Sequence, residues 1–116
     1  MELTQEQLKQ FDREGYLFLP NLFSPEEAAF LKGEAETIYG MDRKEVWREK
    51  SGVARTAFAA HQYNEGFRRL GAHPRLIQPV EQLLDGKVYM HQYKVNAKAP
   101  FDGAVWQWHQ DYGTWK

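Results

Sequence analysis

The chain has 116 residues, no cysteine and a formal net charge of −1, with 42% hydrophobic and 27% charged side chains. This is the composition of one folded domain with one core, and it excludes disulfides, thiolate metal sites and cysteine nucleophiles. Residues 1–50 carry 7 basic and 11 acidic side chains and residues 51–116 carry 8 and 5, which suits an anionic small molecule in the second half but is too dispersed for a nucleic-acid footprint.

Thr4 with Gln7 forms a capping-box pattern, and Gly15 stands where a helix would stop, so the first element is a helix with Leu3, Leu8 and Phe11 as its apolar stripe. Tyr16-Leu17-Phe18-Leu19 reads as a short buried strand ended by Pro20. Ser24-Pro25-Glu26-Glu27 starts a second helix, which carries Ala28, Leu31, Ala35 and Ile38 and stops at Gly40. Residues 41–54 are charged and poorly patterned, as in a loop or short helix. Thr56 to Ala60 suits a short strand, and Asn64–Leu70 and His73–Leu84 suit helices, the second kinked or split by Pro79 if Pro74 is its first residue. Asp85-Gly86 turns the chain, Lys87–Ala97 reads as a strand, and Val105–His109 reads as another beyond the Phe101-Asp102-Gly103 turn. The fold class is α+β in one domain, with residues 1–86 mainly helical and the strands last. MELTQEQLKQ at the amino terminus lacks the apolar core of a signal peptide, and no run approaches a membrane span, so a cytoplasmic setting is expected.

Candidate chemistry gathers near the carboxyl end. Seven of the 17 aromatic residues lie between Tyr89 and Trp115. Of the four histidines, only His109 has a carboxylate two residues on, at Asp111. On an extended chain residues i and i+2 share a side, so an imidazole and a carboxylate can face one metal ion. Chance alone supplies about half an occurrence of such a pair in a chain of this composition. A surface histidine and aspartate at a strand end is the plain alternative. Upstream, Met90, Gln92, Lys94 and Asn96 alternate with Tyr89, His91, Tyr93 and Val95. The polar set either faces solvent or lines a cavity whose donors hold a carboxylate ligand. Trp106, Trp108 and Trp115 bracket the His-x-Asp pair, as core residues or as walls of a pocket.

HQYKVNAKAPFDGAVWQWHQDYGTW (His91 to Trp115), EGYLFLPNLFSPEEAAFLK (ending at Lys32) and HPRLIQPVEQLL (His73 to Leu84) together resemble the phytanoyl-CoA dioxygenase family, including its ectoine-hydroxylase-like and amino-acid-hydroxylase-like members. The resemblance implies a non-haem Fe(II), 2-oxoglutarate-dependent oxygenase on a double-stranded β-helix, or jelly roll, of which this chain would hold the amino-terminal helices and the first strands. It implies His109 and Asp111 as iron ligands, with the Asp111 carboxylate favouring hydroxylation over halogenation of a small-molecule substrate by O2. Gln92 and Asn96 match positions that contact 2-oxoglutarate or substrate. Trp115 matches an aromatic wall of the substrate pocket, and Trp106 stands where related members have Phe. The family's second iron-binding histidine, and the arginine that pairs with 2-oxoglutarate, lie far downstream. Neither residue type follows Asp111 here. The expectation is therefore an amino-terminal portion of such an enzyme, inactive alone. The alternatives are a non-catalytic binding or scaffolding module, or one half of a split enzyme whose partner is the missing carboxyl-terminal half. No nucleic-acid or membrane partner is expected.

Overall fold

A computed structural model describes residues 2–100 and 107–111. Helix α1 (Gln5–Glu14) opens with the expected capping box: the Thr4 hydroxyl accepts from the Gln7 amide, and Gly15 closes it in the left-handed conformation, φ 81°. The Leu3 amide donates to Gln82 Oε1 at 2.8 Å, which ties the start of the chain to a helix 79 residues later. Helix α2 (Pro25–Tyr39) starts at the Ser24–Glu27 box with Pro25 in its first turn. Its last turn holds no basic residue, so its carbonyls look elsewhere for donors. Arg48 supplies them, reaching the Tyr39 carbonyl at 2.7 Å and the Met41 carbonyl at 3.2 Å.

Arg48 belongs to β1 (Val46–Arg48), in the stretch expected to be loop or short helix. β1 pairs antiparallel with β2 (Ala54–Phe58) through a turn in which Gly52 takes φ 97°. The strand forms because it finds a partner about ten residues on; it is only three residues long, and the charged residues on either side of Val46 and Trp47 hide it. A single 3₁₀ turn (Ala60–Gln62) leads to α3 (Glu65–Gly71) and α4 (Pro74–Leu84). α4 runs through Pro79 as one helix and is not split into two elements. The proline ring forfeits only the bond to the Arg75 carbonyl, and the ring itself is buried.

β3 (Lys94–Asn96) is far shorter than the expected Lys87–Ala97 strand. It pairs antiparallel with β2, and the sheet order is β1-β2-β3. Upstream of Lys94 the pairing ends with the Tyr93 carbonyl, which accepts from the Ala59 amide at 2.8 Å; before that the described chain meets no further edge, and extended backbone without a partner is not a strand. The same reason overturns the buried strand at residues 16–19. That segment is irregular, with Tyr16 62% and Phe18 74% exposed. The expected strand Val105–His109 lies partly outside the described residues, and Gln107–Gln110 belongs to no regular element.

One face of the sheet packs on the helices. Val46, Ala57 and Val95 align across the three strands by register, and Val46 and Ala57 join Ile38, Ala60 and Phe67 in the core. Tyr93 fastens β3 to α3. Its hydroxyl donates to the Phe67 carbonyl at 2.8 Å, and its ring lies so close to Gly71 that a Cβ there would sit 2.7 Å from Cε2. Among the described residues no helix is long and apolar enough to cross a membrane.

The starts of α2 and α4 are clamped by a bidentate Arg75–Glu27 pair. Arg75 also donates to the Leu22 carbonyl at 2.9 Å and lies over the Phe23 ring at 4.5 Å. The Arg75 guanidinium, with the Ser24 amide, holds the Glu27 carboxyl at about 2 instead of 4.5. A carboxyl depressed on folding contributes stability that is fully present above its unfolded value, near 4.5, and lost as pH falls toward 2. Glu27→Gln keeps a side chain able to complete the capping box but removes the charge. Its melting temperature is expected to lie below the parent's at pH 7, with the gap closing between pH 4.5 and pH 2 in thermal melts followed by circular dichroism. A gap unchanged across that range would exclude the ion pair as its source.

Candidate metal and co-substrate site

His109 and Asp111 come together. His109 Nε2 and Asp111 Oδ1 stand 3.0 Å apart, and His109 Nδ1 lies 2.7 Å from the Gln107 carbonyl. An approach that close to a carbonyl places the hydrogen on Nδ1 and turns Nε2 toward the carboxylate. The imidazole nitrogen and the carboxylate oxygen are therefore within reach of one shared cation. Two neighbouring ligands at right angles on one ion, each with a bond of about 2.1 Å, are themselves about 3 Å apart. The imidazole-plus-carboxylate set also suits the two-histidine, one-carboxylate centres of non-haem iron. The convergence does not arise from strand alternation as expected, since Gln107–Gln110 is irregular and Asp111 has helical backbone. Both side chains are exposed, and Trp108 between them and the chain behind is fully so. Among the described residues no third histidine or carboxylate joins them.

Asn96 sits on the sheet face turned away from the helices. Its register partner on β2 is Thr56, whose own partner on β1 is Trp47. The Thr56 hydroxyl donates to Asn96 Oδ1 at 3.0 Å. Lys94 faces Phe58 on the same side, and Trp47 packs edge-on against Phe58 with ring centroids 4.8 Å apart. Gln92 precedes β3 and is exposed at a cavity of about 320 Å³ lined also by Phe58, His61, Gln62, His91 and Tyr93. There His61 stacks on Tyr93 at 4.9 Å with its Nδ1 buried and, among the described residues, without a hydrogen-bond partner. Burial pushes the Tyr93 phenol up, so it stays a neutral donor to Phe67 at ordinary pH. Gln92 and Asn96 thus fall on one stretch of chain, with Phe58 linking the cavity to the sheet face. Among the described residues, no hydrogen bond, ion pair or ring contact joins either of them to His109 or Asp111. Trp106 and Trp115 lie outside the described residues.

Phe58, Trp47 and Thr56 were not apparent as site residues in the sequence. The signal that could have found them is the two-residue alternation of Ala54–Phe58, which puts Thr56 and Phe58 on the side opposite the core residue Ala57.

The helices, the short antiparallel sheet and the His-x-Asp pair can be set beside known proteins, and the comparisons are specific. The family model described as "Phytanoyl-CoA dioxygenase (PhyH)" matches residues 11–116, and the chain belongs to that family. It is 36% identical over 118 residues to an ectoine dioxygenase of Stutzerimonas stutzeri, spanning 97% of this chain and 39% of that protein. It is 38% identical over 107 residues to an L-proline trans-4-hydroxylase of Streptomyces griseoviridis, spanning 91% and 40%. Among solved structures, EctD from S. alaskensis with 2-oxoglutarate and 5-hydroxyectoine superposes with a TM-score of 0.88 at 33% identity, covering 97% of this chain and 42% of that one. The same enzyme with bound Fe gives 0.87 at 34%. The chain therefore spans about two-fifths of the length of the relatives it matches.

Proposed function

We propose that this chain forms the amino-terminal part of an Fe(II)- and 2-oxoglutarate-dependent hydroxylase acting on a small molecule, with β1–β3 opening a jelly roll. His109 Nε2 and Asp111 Oδ1 hold the iron, and Gln92 and Asn96 present amides to 2-oxoglutarate or to substrate. Trp106 and Trp115 wall the substrate pocket. A further histidine ligand and a cationic partner for 2-oxoglutarate come from polypeptide outside this stretch. Bound iron supplies positions for 2-oxoglutarate and O2 and the oxidising power to hydroxylate a C–H bond. This chain's residues do the remaining work of holding, orienting and excluding water. The single observation that carries the reading is the 3.0 Å convergence of His109 Nε2 and Asp111 Oδ1, with Nδ1 committed to Gln107. Family membership and the likeness to EctD structures bearing Fe and 2-oxoglutarate support it.

The test is reconstitution. The 116-residue chain alone, mixed anaerobically with Fe(II) and 2-oxoglutarate, is expected to show no visible charge-transfer band and to release no succinate when air is admitted. The band and succinate are expected when the chain is produced together with polypeptide supplying the second histidine and the arginine. Succinate from the chain alone would overturn the division of ligands. Silence from the assembled protein would overturn the function.

A further inference from the structure

We infer that Thr56 is a positioning residue for the co-substrate site: its hydroxyl fixes the Asn96 side-chain amide so that the –NH2 end, not the oxygen, is presented to an incoming carboxylate. The inference rests on the proposed role of Asn96 and adds a residue to it.

An asparagine amide can present either end, and a carboxylate ligand is held only by the donor end. An exposed Asn rotates freely about its last torsion, so about half its orientations would turn oxygen toward the ligand and repel it. Here the choice is already made. Thr56 donates to Oδ1 at 3.0 Å, which leaves Nδ2 without a partner among the described residues. The bond is protected. Thr56 is 5% exposed, and its two register neighbours are Trp47 on one side and Asn96 on the other. Trp47 in turn is braced on Phe58 at 4.8 Å. A buried hydroxyl needs an acceptor, and the cross-strand oxygen is the one it uses. An apolar residue of the same shape would fill the space equally well. The hydroxyl is therefore the feature to explain, and directing Asn96 explains it.

Two measurements decide the matter. On the 15N-labelled 116-residue chain, Thr56→Val is expected to drop the Asn96 side-chain {1H}-15N NOE to that of an exposed, mobile amide, and Thr56→Ser to leave it as in the parent. In the assembled oxygenase, Thr56→Val is expected to raise the KM for 2-oxoglutarate about twofold, because about half of the freed amides would turn oxygen toward the ligand, with kcat unchanged. Thr56→Ser should restore the KM, and Thr56→Val combined with Asn96→Ala should be no worse than Asn96→Ala alone. An unchanged NOE in Thr56→Val overturns the proposal whatever the kinetics. So does a parental KM in Thr56→Val when Asn96→Ala is impaired, or additive losses in the double variant. If Asn96→Ala itself keeps the parental KM, the co-substrate role of Asn96 fails and the Thr56 role falls with it, a pattern distinct from failure at Thr56 alone.

Discussion

Ile38→Ala is expected to destabilise the chain by about 2–5 kcal/mol, lowering the melting temperature by roughly 8–20 °C, whereas Ile38→Val costs about 0.5–1.5 kcal/mol. Ile38 is 0% exposed and, among the described residues, is the largest side chain so completely enclosed. It sits near the end of α2, where Val46 of β1, Ala57 of β2 and Phe67 of α3 meet it in one cluster. Neighbours on three elements cannot all move inward when the side chain is cut back, so a cavity remains. Ala57, and Ala60 of the 3₁₀ turn in the same cluster, are too small to swing into the space. Since a domain of this size is stable by only about 5–15 kcal/mol, the alanine variant approaches the unfolding threshold. Urea unfolding of the three proteins checks this; an alanine variant no less stable than the valine one would mean that α2 does not anchor the sheet.

The helices were legible in the sequence because their signals are local. Thr4–Gln7, Ser24–Glu27 and Asn64 each place an acceptor three residues before the amide it takes, and each does so in the structure. The strands were legible only in part, because a strand is defined by a partner and the partner is not local. Tyr16 to Leu19 has the composition of a strand but no edge among the described residues. Val46 to Arg48 is too short and too closely flanked by charges to stand out, yet has an edge about ten residues away. Ser51-Gly52 was the missed clue: a glycine between two short runs is what a hairpin turn requires, and Gly52 takes φ 97°. Pro79 erred in the other direction. Local chemistry argued for a break, while the clamp of Arg75 on Glu27 holds the start of α4 and the helix continues.

The candidate site follows the same division. His109 and Asp111 are two residues apart, so their meeting could be anticipated from spacing, though the backbone that brings them together is irregular rather than extended. Gln92 and Asn96 could be placed on one side of a chain by alternation. What stands beside them could not. Thr56 lies 40 residues from Asn96, and only the β2–β3 register puts its hydroxyl on that amide. Trp47 is further still, across a second register that shifts between Trp47 and Arg48. Tyr93 looked like one more aromatic in a crowded tail; its place is set by Gly71 and the Phe67 carbonyl.

The second large effect concerns the metal. In the assembled oxygenase, His109→Ala or Asp111→Ala is expected to weaken Fe(II) binding by more than 100-fold and to abolish succinate formation, while in the 116-residue chain either substitution leaves thermal stability within about 1 kcal/mol of the parent. The two halves of that expectation have separate physical grounds. Even residues that only orient a ligand typically contribute 10–100-fold to metal affinity, so loss of a ligand must exceed that. Both side chains are exposed in this chain, and their mutual contact is therefore a weak contributor to its folding. A structural surface pair would give the opposite pattern, with unchanged metal affinity and turnover. The substitution that separates ligand from orientation is at neither residue. Gln107 touches His109 through its backbone carbonyl at 2.7 Å, so Gln107→Ala preserves the bond that fixes the imidazole and is expected to keep iron affinity within about threefold. Calorimetric titration of the apo-proteins with Mn(II), a redox-silent stand-in for Fe(II), measures all three variants. Parental affinity in both His109→Ala and Asp111→Ala would place the metal elsewhere, and a collapse in Gln107→Ala would show that its side chain, not its carbonyl, directs the ring.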